Sequence, residues 1–139
     1  ATAVLADAKV APELESEARY YRSKALVEAN QLAHAVADWE ALAKDTRNVY
    51  GAEAKYRLAQ YLFDSGKTKE AEQEVLNYLE VSTPHAYWLA RSFVLLSDIY
   101  AKLDRKLEAR QYLLSLKQNY QADDDIAGMI ESRLENLKE

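Results

Sequence analysis

Residues 52–84 read AEAKYRLAQYLFDSGKTKEAEQEVLNYLEVSTP. Apolar residues recur in this stretch every three or four positions, which predicts amphipathic helices. Gly66 divides the stretch, because a helix commonly ends on a glycine in the left-handed conformation. Thr83 and Pro84 end it, since a hydroxyl cap followed by proline at the first helical position is typical of a new helix start. The stretch is therefore predicted to form two antiparallel helices.

The same pattern of small and large residues occurs three times along the chain. A small residue in the first helix stands 12 positions before an alanine in the second: Ser23 with Ala35, Ala59 with Ala71, and Ser97 with Ala109. Large residues follow four and seven positions after each alanine, at Trp39, Leu42, Val75, Tyr78, Leu113 and Leu116. Antiparallel helices approach closely where small side chains face each other, and large side chains fill the groove beside the crossing. The small residue recurs after 36 and then 38 residues, so the hairpin is constant and the connection varies.

The helical periodicity continues through nearly the whole chain and predicts seven helices. They cover about residues 13–29, 32–45, 49–65, 68–81, 85–103, 105–120 and 125–138. Asn30 and Asp104 replace Gly66 at the turns of the other two hairpins, and Asp104 can also cap the following helix. Each hairpin carries apolar residues on more than one face, so the hairpins must stack to bury them. We expect an all-α protein that forms a stacked array.

Composition excludes several classes of protein. The chain has 139 residues with only 3 Gly and 2 Pro, too few for the tight turns of a β-sandwich or barrel. The net charge is −5 and the 18 basic residues are scattered, which disfavours nucleic-acid binding. The absence of Cys excludes disulfides and zinc–thiolate sites. The longest nearly apolar run, residues 93–96, is too short to insert into a membrane. We expect a soluble protein, and composition does not decide between bacterial periplasm or envelope and cytoplasm.

Catalytic and metal-binding motifs are not apparent in the sequence. His34 and His85 belong to no helical metal-ligand pair and are interpreted as surface or cap residues. A calcium loop starting at Asp123 would need an oxygen ligand at its fifth position and Glu at its twelfth, where Ala127 and Leu134 stand. The three aspartates at 123–125 instead favour the N-terminus of the last helix. The three isolated glycines exclude a phosphate-binding loop. We expect a protein that is not an enzyme and has no cofactor or metal.

The repeated unit resembles the tetratricopeptide repeat (TPR) family, in the looser form found in bacterial envelope-associated proteins. The best match lies in residues 52–84, with Leu58-Ala59, Leu62, Gly66, Ala71, Val75 and the final proline. The family period is about 34 residues. The resemblance implies a right-handed α-solenoid of about three TPR hairpins in a single domain over residues 1–139. The repeats would span about residues 16–51, 52–89 and 90–121, with a capping helix at 125–138.

In the TPR family the first helices of the pairs line a concave groove that holds a peptide or a partner helix. Carried over to this chain, the partner-binding groove would consist of Tyr20, Lys24, Val27, Tyr56, Gln60, Phe63, Arg91, Val94, Asp98 and Lys102. Tyr20, Tyr56 and Phe63 would form an apolar anchor for another protein or peptide. In the alternative interpretation, some of these rings pack between neighbouring hairpins.

The two ends of the chain predict its place in a larger protein. Residues 1–12 resemble the tail of a preceding unit, with Pro12 separating it from the first repeat. Residues 125–138 carry Ile126 and Ile130 on one stripe and polar residues such as Arg133 on the other face, as expected of a helix that closes an array. We therefore expect the C-terminal part of a longer protein.

An alternative function is an architectural spacer or self-association segment in a larger envelope-associated TPR protein. Candidate contacts for self-association are Trp39 and the pair Tyr87-Trp88.

Overall fold

The computed structural model describes residues 10–80 and 83–138, with side chains from Leu14 onward. This part of the chain contains seven α-helices and no strand. The helices are α1 (Val10–Glu28), α2 (Leu32–Leu42), α3 (Val49–Asp64), α4 (Thr68–Glu80), α5 (Ala86–Lys102), α6 (Lys106–Asn119) and α7 (Ile126–Asn136). The chain is all-α, as the sequence predicts. None of the described helices combines the length and the apolar character that a membrane span requires.

The seven predicted helices are confirmed, with ends displaced by three residues at most. Among the helix starts, the largest displacement is that of α1, which begins at Val10 instead of residue 13. Pro12 therefore lies in the first turn of α1, where its missing N–H is tolerated. The predicted tail of a preceding unit falls mainly on residues 1–9, outside the described residues.

Three identical turns join the helices of the hairpins. Asn30, Gly66 and Asp104 have φ of 59°, 83° and 62°, which confirms the left-handed turns predicted at these positions. At each turn the N–H of the next residue donates to a carbonyl five residues earlier: Gln31 to Leu26 at 2.8 Å, Lys67 to Leu62 at 2.9 Å, and Arg105 to Tyr100 at 2.8 Å. This is the Schellman arrangement, which satisfies carbonyls left free at a helix end. The three turns are spaced like the sequence pattern, 36 and then 38 residues apart.

Two predicted helix caps are wrong. Asp104 occupies the left-handed turn, and Arg105 is the N-cap of α6 without a side-chain cap bond. Thr83 lies outside α5, which begins at Ala86 after the N-cap His85. The Thr83 hydroxyl accepts a hydrogen bond from the His85 N–H at 3.2 Å and donates to the Thr46 carbonyl at 2.7 Å. Thr83 therefore joins the α4–α5 loop to the α2–α3 loop.

The helices pack in two layers. Each helix contacts the next along the chain, and α1, α3, α5 and α7 also contact one another in that order. Within the described ranges, α2, α4 and α6 do not contact one another. The first helices of the hairpins thus lie together in one layer, and the second helices lie in the other.

The small residues of the repeated pattern are the most deeply buried part of the fold. All six are at most 2% exposed: Ser23, Ala35, Ala59, Ala71, Ser97 and Ala109. The Ser23 and Ser97 hydroxyls donate to the carbonyls of Tyr20 and Val94 at 2.6 Å, so burial leaves neither hydroxyl unsatisfied. The large residues predicted to fill the grooves of the second helices are also buried, at 0–7% exposure: Trp39, Leu42, Val75, Tyr78, Leu113 and Leu116.

The last helix packs through its predicted apolar stripe. Ile126 and Ile130 are 1% and 2% exposed and join a cluster with Leu113 and Leu116 of α6. Arg133, predicted on the polar face, instead turns toward α5 and forms a bidentate ion pair with Asp98 at 2.8 and 3.0 Å. Helix α7 is thus held by a polar contact as well as by apolar burial.

We predict that Gly51→Ala destabilises the protein by about 1–3 kcal/mol, because overpacking forces the backbone to shift. A Cβ at Gly51 would lie 1.9 Å from the Asp45 carbonyl oxygen and 2.5 Å from that of Leu42. Gly128 in α7 is the matched control, because a Cβ there meets no atom within 4 Å. Gly128→Ala should stabilise the helix by about 0.5–1 kcal/mol. Urea unfolding followed by circular dichroism measures both changes, and a stable Gly51→Ala variant would contradict the packing.

We also predict that stability falls as pH rises from about 10 to about 12. Tyr78 is 1% exposed, and its burial raises its pKa to about 12. Since the pKa of an unfolded tyrosine is about 10, the folded state disfavours the phenolate, and this contribution to stability is complete below about pH 10 and is lost progressively as the pH rises to about 12. Tyr78→Phe should reduce the slope of unfolding free energy against pH by up to about 1.4 kcal/mol per pH unit in this range. An unchanged slope would contradict the assignment.

Candidate interaction surface

An open cleft of about 410 Å³ lies between α1 and α3, next to the start of α2. Its apolar lining comes from Val27, Leu32, Trp39 and Tyr61, and its charged lining from Lys24, Glu28, Glu53, Arg57 and Asp64. Val27 and Leu32 are 42% and 39% exposed. The cleft therefore offers solvent-accessible apolar surface inside a charged rim, which is the composition of many binding sites.

The cleft exists because two residues differ from their counterparts one repeat later. One residue lies within α3 and the other directly after it, and their counterparts lie within and directly after α5. Arg57 and Ser65 stand 38 residues before Leu95 and Leu103. In the α3–α5 interface, Leu95 is 2% exposed and Leu103 packs against the same core cluster. Arg57 instead points its guanidinium toward Tyr56 and Trp88, and Ser65 is too short to fill the gap. The interface between α1 and α3 is consequently left open where the next one is filled.

Two tyrosines lie beside the cleft, Tyr20 on α1 and Tyr50 on α3. The Tyr20 ring lies 4.6 Å from that of Tyr50, and its hydroxyl donates to Glu53 at 3.1 Å. Burial and the adjacent Glu53 carboxylate raise the pKa of Tyr20 to about 12. The Lys24 ammonium lies 5.5 Å from the centre of the Tyr20 ring, within the range of a cation–π contact. Tyr20 therefore fixes α1 to α3 and orients Lys24 beside the cleft.

Arg91 connects α5 to α3 and to the loop before α7. Its guanidinium donates to the hydroxyls of Tyr56 at 2.9 Å and Tyr87 at 3.0 Å. It also lies 4.8 Å from the centre of the Tyr56 ring and 5.8 Å from that of Trp88. Within residues 10–80 and 83–138 Arg91 forms no ion pair, and its guanidinium is instead held by hydrogen bonds to the two phenols and by contact with the aromatic faces.

The two tyrosine hydroxyls that accept hydrogen bonds from Arg91 are themselves linked to acidic side chains, Tyr87 directly and Tyr56 through Gln60. Tyr56 donates to the Gln60 side-chain oxygen at 3.0 Å, and the Gln60 amide donates to Asp64 at 2.8 Å. Tyr87 donates to Asp125 at 2.9 Å. A continuous chain of hydrogen bonds thus runs across the first helices from Asp64 at the rim of the cleft to Asp125 beside α7.

The structure divides the ten predicted groove residues into two groups. Lys24, Val27 and Gln60 line the cleft, Tyr20 borders it, and Lys102 is exposed at the end of α5. The other five take part in internal packing or bonding: Tyr56, Phe63, Arg91, Val94 and Asp98.

Two members of the predicted groove are buried. Tyr56 is 4% exposed and Val94 is 3% exposed, so neither ring nor methyl groups are available to a partner. For Tyr56 the structure agrees with the alternative in which the ring packs between hairpins. Asp98 is half-buried and held by Arg133 of α7. The open part of the predicted surface is therefore at the α1–α3 end.

The contacts suggested for self-association differ in burial. Trp39 is 7% exposed and belongs to the core cluster between α2 and α3, so it is not available as a contact surface. Tyr87 and Trp88 are only partly buried. The Trp88 ring lies 5.7 Å from that of Tyr56 and 5.0 Å from that of Tyr87, measured between ring centres.

Sequence reasoning did not include Leu32, Trp39 or Tyr61 in the groove. Leu32 and Trp39 belong to α2, and Tyr61 lies on the flank of α3. The family analogy, in contrast, considers only one face of the first helices of the hairpins. The available signal was Arg57 at the position that Leu95 occupies in the next repeat, because a charged residue at a buried position predicts a gap in packing.

The described residues contain no group of three or more His, Asp or Glu side chains placed to hold a metal ion. His34 is exposed, and His85 contacts the Arg47 carbonyl through Nε2 at 2.8 Å. This contact of His85 with Arg47 joins the α4–α5 loop to the α2–α3 loop.

Comparisons of the chain with protein-family models, curated proteins and solved structures find no significant match. The resemblance to TPR proteins consequently rests on the residues of the chain itself.

We predict that the Asp98–Arg133 pair couples by about 1 kcal/mol in a double-mutant cycle, because it is bidentate and only about a third exposed (31% and 32%). The variants are Asp98→Asn, Arg133→Gln and their combination, with unfolding free energy as the readout. The Glu135–Lys138 pair on α7 is the control, since its side chains are 71% and 67% exposed. It should couple by less than about 0.5 kcal/mol. Equal coupling of both pairs would contradict a role for Asp98 in holding α7.

Proposed function

We propose that this protein is a non-catalytic interaction module that binds a peptide or helix of another protein. The observation that carries the proposal is the cleft between α1 and α3, where apolar side chains are accessible within a charged rim. The fold supporting it is proposed to be a right-handed solenoid of three TPR hairpins closed by α7. The sequence repeat, the three identical Schellman turns and the layered helix contacts support that fold.

The chemistry of the cleft favours one kind of ligand. Its apolar part can receive one large aliphatic or aromatic side chain, because the cleft has a volume of about 410 Å³ and Val27 and Leu32 are 42% and 39% exposed. Its rim carries three acidic and two basic side chains. Glu53 is already bound by Tyr20 and Arg57, whereas Glu28 is exposed. The expected ligand therefore places an apolar anchor in the cleft and a Lys or Arg next to it.

The hydrogen-bonded chain through Arg91 has a supporting role in this proposal. It holds Gln60 and Asp64 in place at the rim through Tyr56. Because polar groups with fixed rotamers lose less entropy on binding, a prearranged rim favours affinity. The role of α7 is to close the far end of the array by pairing with Asp98.

We predict that selection from a random peptide library against the immobilised protein enriches peptides with an apolar residue beside Lys or Arg. Fluorescence anisotropy of a labelled, selected peptide then measures affinity. Val27→Asp should weaken binding at least about tenfold, because an uncompensated charge would enter an apolar site. Since Val27 is 42% exposed, the variant should keep the wild-type melting temperature within a few degrees.

Leu107→Asp on α6 is the matched control, because Leu107 is 70% exposed and lies away from the cleft. It should bind the selected peptide like the wild type. Equal binding by Val27→Asp and wild type, or selection of peptides without an apolar anchor, would contradict the proposed cleft.

A second candidate function is self-association within a larger architectural protein. Trp39 is buried, and Tyr87 and Trp88 are partly buried, whereas α1 exposes a different apolar stripe that includes Leu14 and Tyr21.

A further inference from the structure

The outer face of α1 carries an exposed apolar stripe. Leu14, Ala18, Tyr21 and Ala25 are spaced by four, three and four residues, which places them along one side of the helix. All four are exposed, with Leu14 at 45% and Tyr21 at 56%. Ser23, which is 1% exposed, lies on the opposite side, where α1 packs on its neighbours. The stripe is therefore a second apolar face that no described part of the chain covers.

The counterpart of this stripe in α5 is an internal packing face. The offsets of 36 and 38 residues relate the four stripe positions to Trp88, Ser92, Leu95 and Ile99. In α5, Ser92, Leu95 and Ile99 are at most 2% exposed, and Trp88 is partly buried. Leu95 and Ile99 lie in the cluster formed with Tyr56, Ala59, Ala71 and Val75 of α3 and α4. The stripe of α1 thus occupies positions that this fold uses to pack one helix against others.

The stripe is complementary to itself in the antiparallel direction. If two α1 helices pair around the point between Arg19 and Tyr20, Leu14 of one copy faces Ala25 of the other. In the same register Ala18 faces Tyr21. Each large side chain then lies against a small one, which allows two helices to approach closely and interdigitate. A partner helix of the same sequence therefore fits this face.

The charges beside the stripe favour the same arrangement. Glu15 and Arg22 flank one edge of the stripe, and Glu17 and Lys24 flank the other. Rotation about a two-fold axis keeps each edge against the same edge of the second copy while reversing helix direction. Within one copy Arg22 is already bound by Asp38, and Glu15 is bound by Arg19 at 2.7 Å. The contact that favours this register is therefore the one at the other edge, where Glu17 lies near Lys24 of the second copy.

We propose that two copies of this chain associate through antiparallel pairing of their α1 helices. The contact is formed by the four stripe residues and is centred between Ala18 and Tyr21. One helix pair buries less surface than a standard interface of about 1,200–2,000 Å², so the dimer is weak and depends on concentration. This proposal does not depend on peptide binding in the cleft.

The test is sedimentation equilibrium of the full chain over a concentration series up to the millimolar range. The weight-average mass of the wild type should rise from 15.8 kDa toward twice that value. Tyr21→Glu should keep the monomer mass at all concentrations, because it buries a charge opposite Ala18. Leu107→Glu on α6 is the control and should associate like the wild type, since Leu107 is exposed on another helix.

Charge reversal tests the direction of pairing. Glu17→Lys should shift association to at least several-fold higher concentration, because it faces Lys24 of the second copy. Combining it with Lys24→Glu should restore association, since the opposite charges are then exchanged. A parallel arrangement would not give this rescue.

The chain lacks Cys, so introduced thiols give a further test of register. A mixture of Leu14→Cys and Ala25→Cys chains should be cross-linked by a short bis-maleimide faster than either variant alone. A wild-type chain that stays monomeric throughout, or a dimer that persists in Tyr21→Glu, would overturn the proposal. Neither result would affect binding of a selected peptide to the cleft, so failure of this inference and failure of the proposed function are distinguishable.

Discussion

The close approach of two helices at a pair of small side chains is the constraint on which this structure depends. Ser23 with Ala35, Ala59 with Ala71, and Ser97 with Ala109 are all nearly inaccessible to solvent. The separation of 12 residues leaves room for one turn between the helices, and each turn uses the same left-handed residue and hydrogen bonds. Because a larger side chain at a crossing would separate the helices, the large residues can fill grooves only on either side of it. The hairpin is consequently a fixed unit, and differences arise between hairpins.

The two interfaces between α1 and α3 and between α3 and α5 show how such differences create a cleft in an otherwise regular arrangement of helices. Leu95 and Leu103 fill the interface between α3 and α5, whereas Arg57 and Ser65 leave the interface between α1 and α3 open. Arg57 remains compatible with the fold because its guanidinium contacts Glu53 and lies 5.6 Å from the centres of the Tyr56 and Trp88 rings. A repeat protein can therefore acquire a cleft by replacing apolar side chains at one interface, since each unit contacts only its neighbours.

Sequence reasoning predicts the regular part of this structure well and the polar part poorly. The helices and left-handed turns follow from local periodicity and backbone conformation, so single residues such as Gly66 and Asn30 are informative. The caps at Thr83 and Asp104 were predicted incorrectly because both side chains have an alternative local role. Thr83 bonds a carbonyl 37 residues away, and Asp104 is required at φ > 0. Partners distant in sequence, such as Arg91 with Tyr56 or Arg133 with Asp98, depend on the stacking geometry, which no local pattern specifies.

The polar contacts between first helices also explain why surface and interior are difficult to separate from the sequence. Tyr20 with Glu53, Tyr56 with Arg91, and Asp98 with Arg133 join α1 to α3, α3 to α5, and α5 to α7. Each contact uses a residue type that would otherwise indicate an exposed binding surface. A buried polar side chain is favourable only when its partner is present, so these contacts also restrict how one hairpin stacks on the next. Within the described residues, the four stripe residues of α1 (Leu14, Ala18, Tyr21 and Ala25) take part in no such polar contact and are exposed, which is why we assign the stripe to association with another helix.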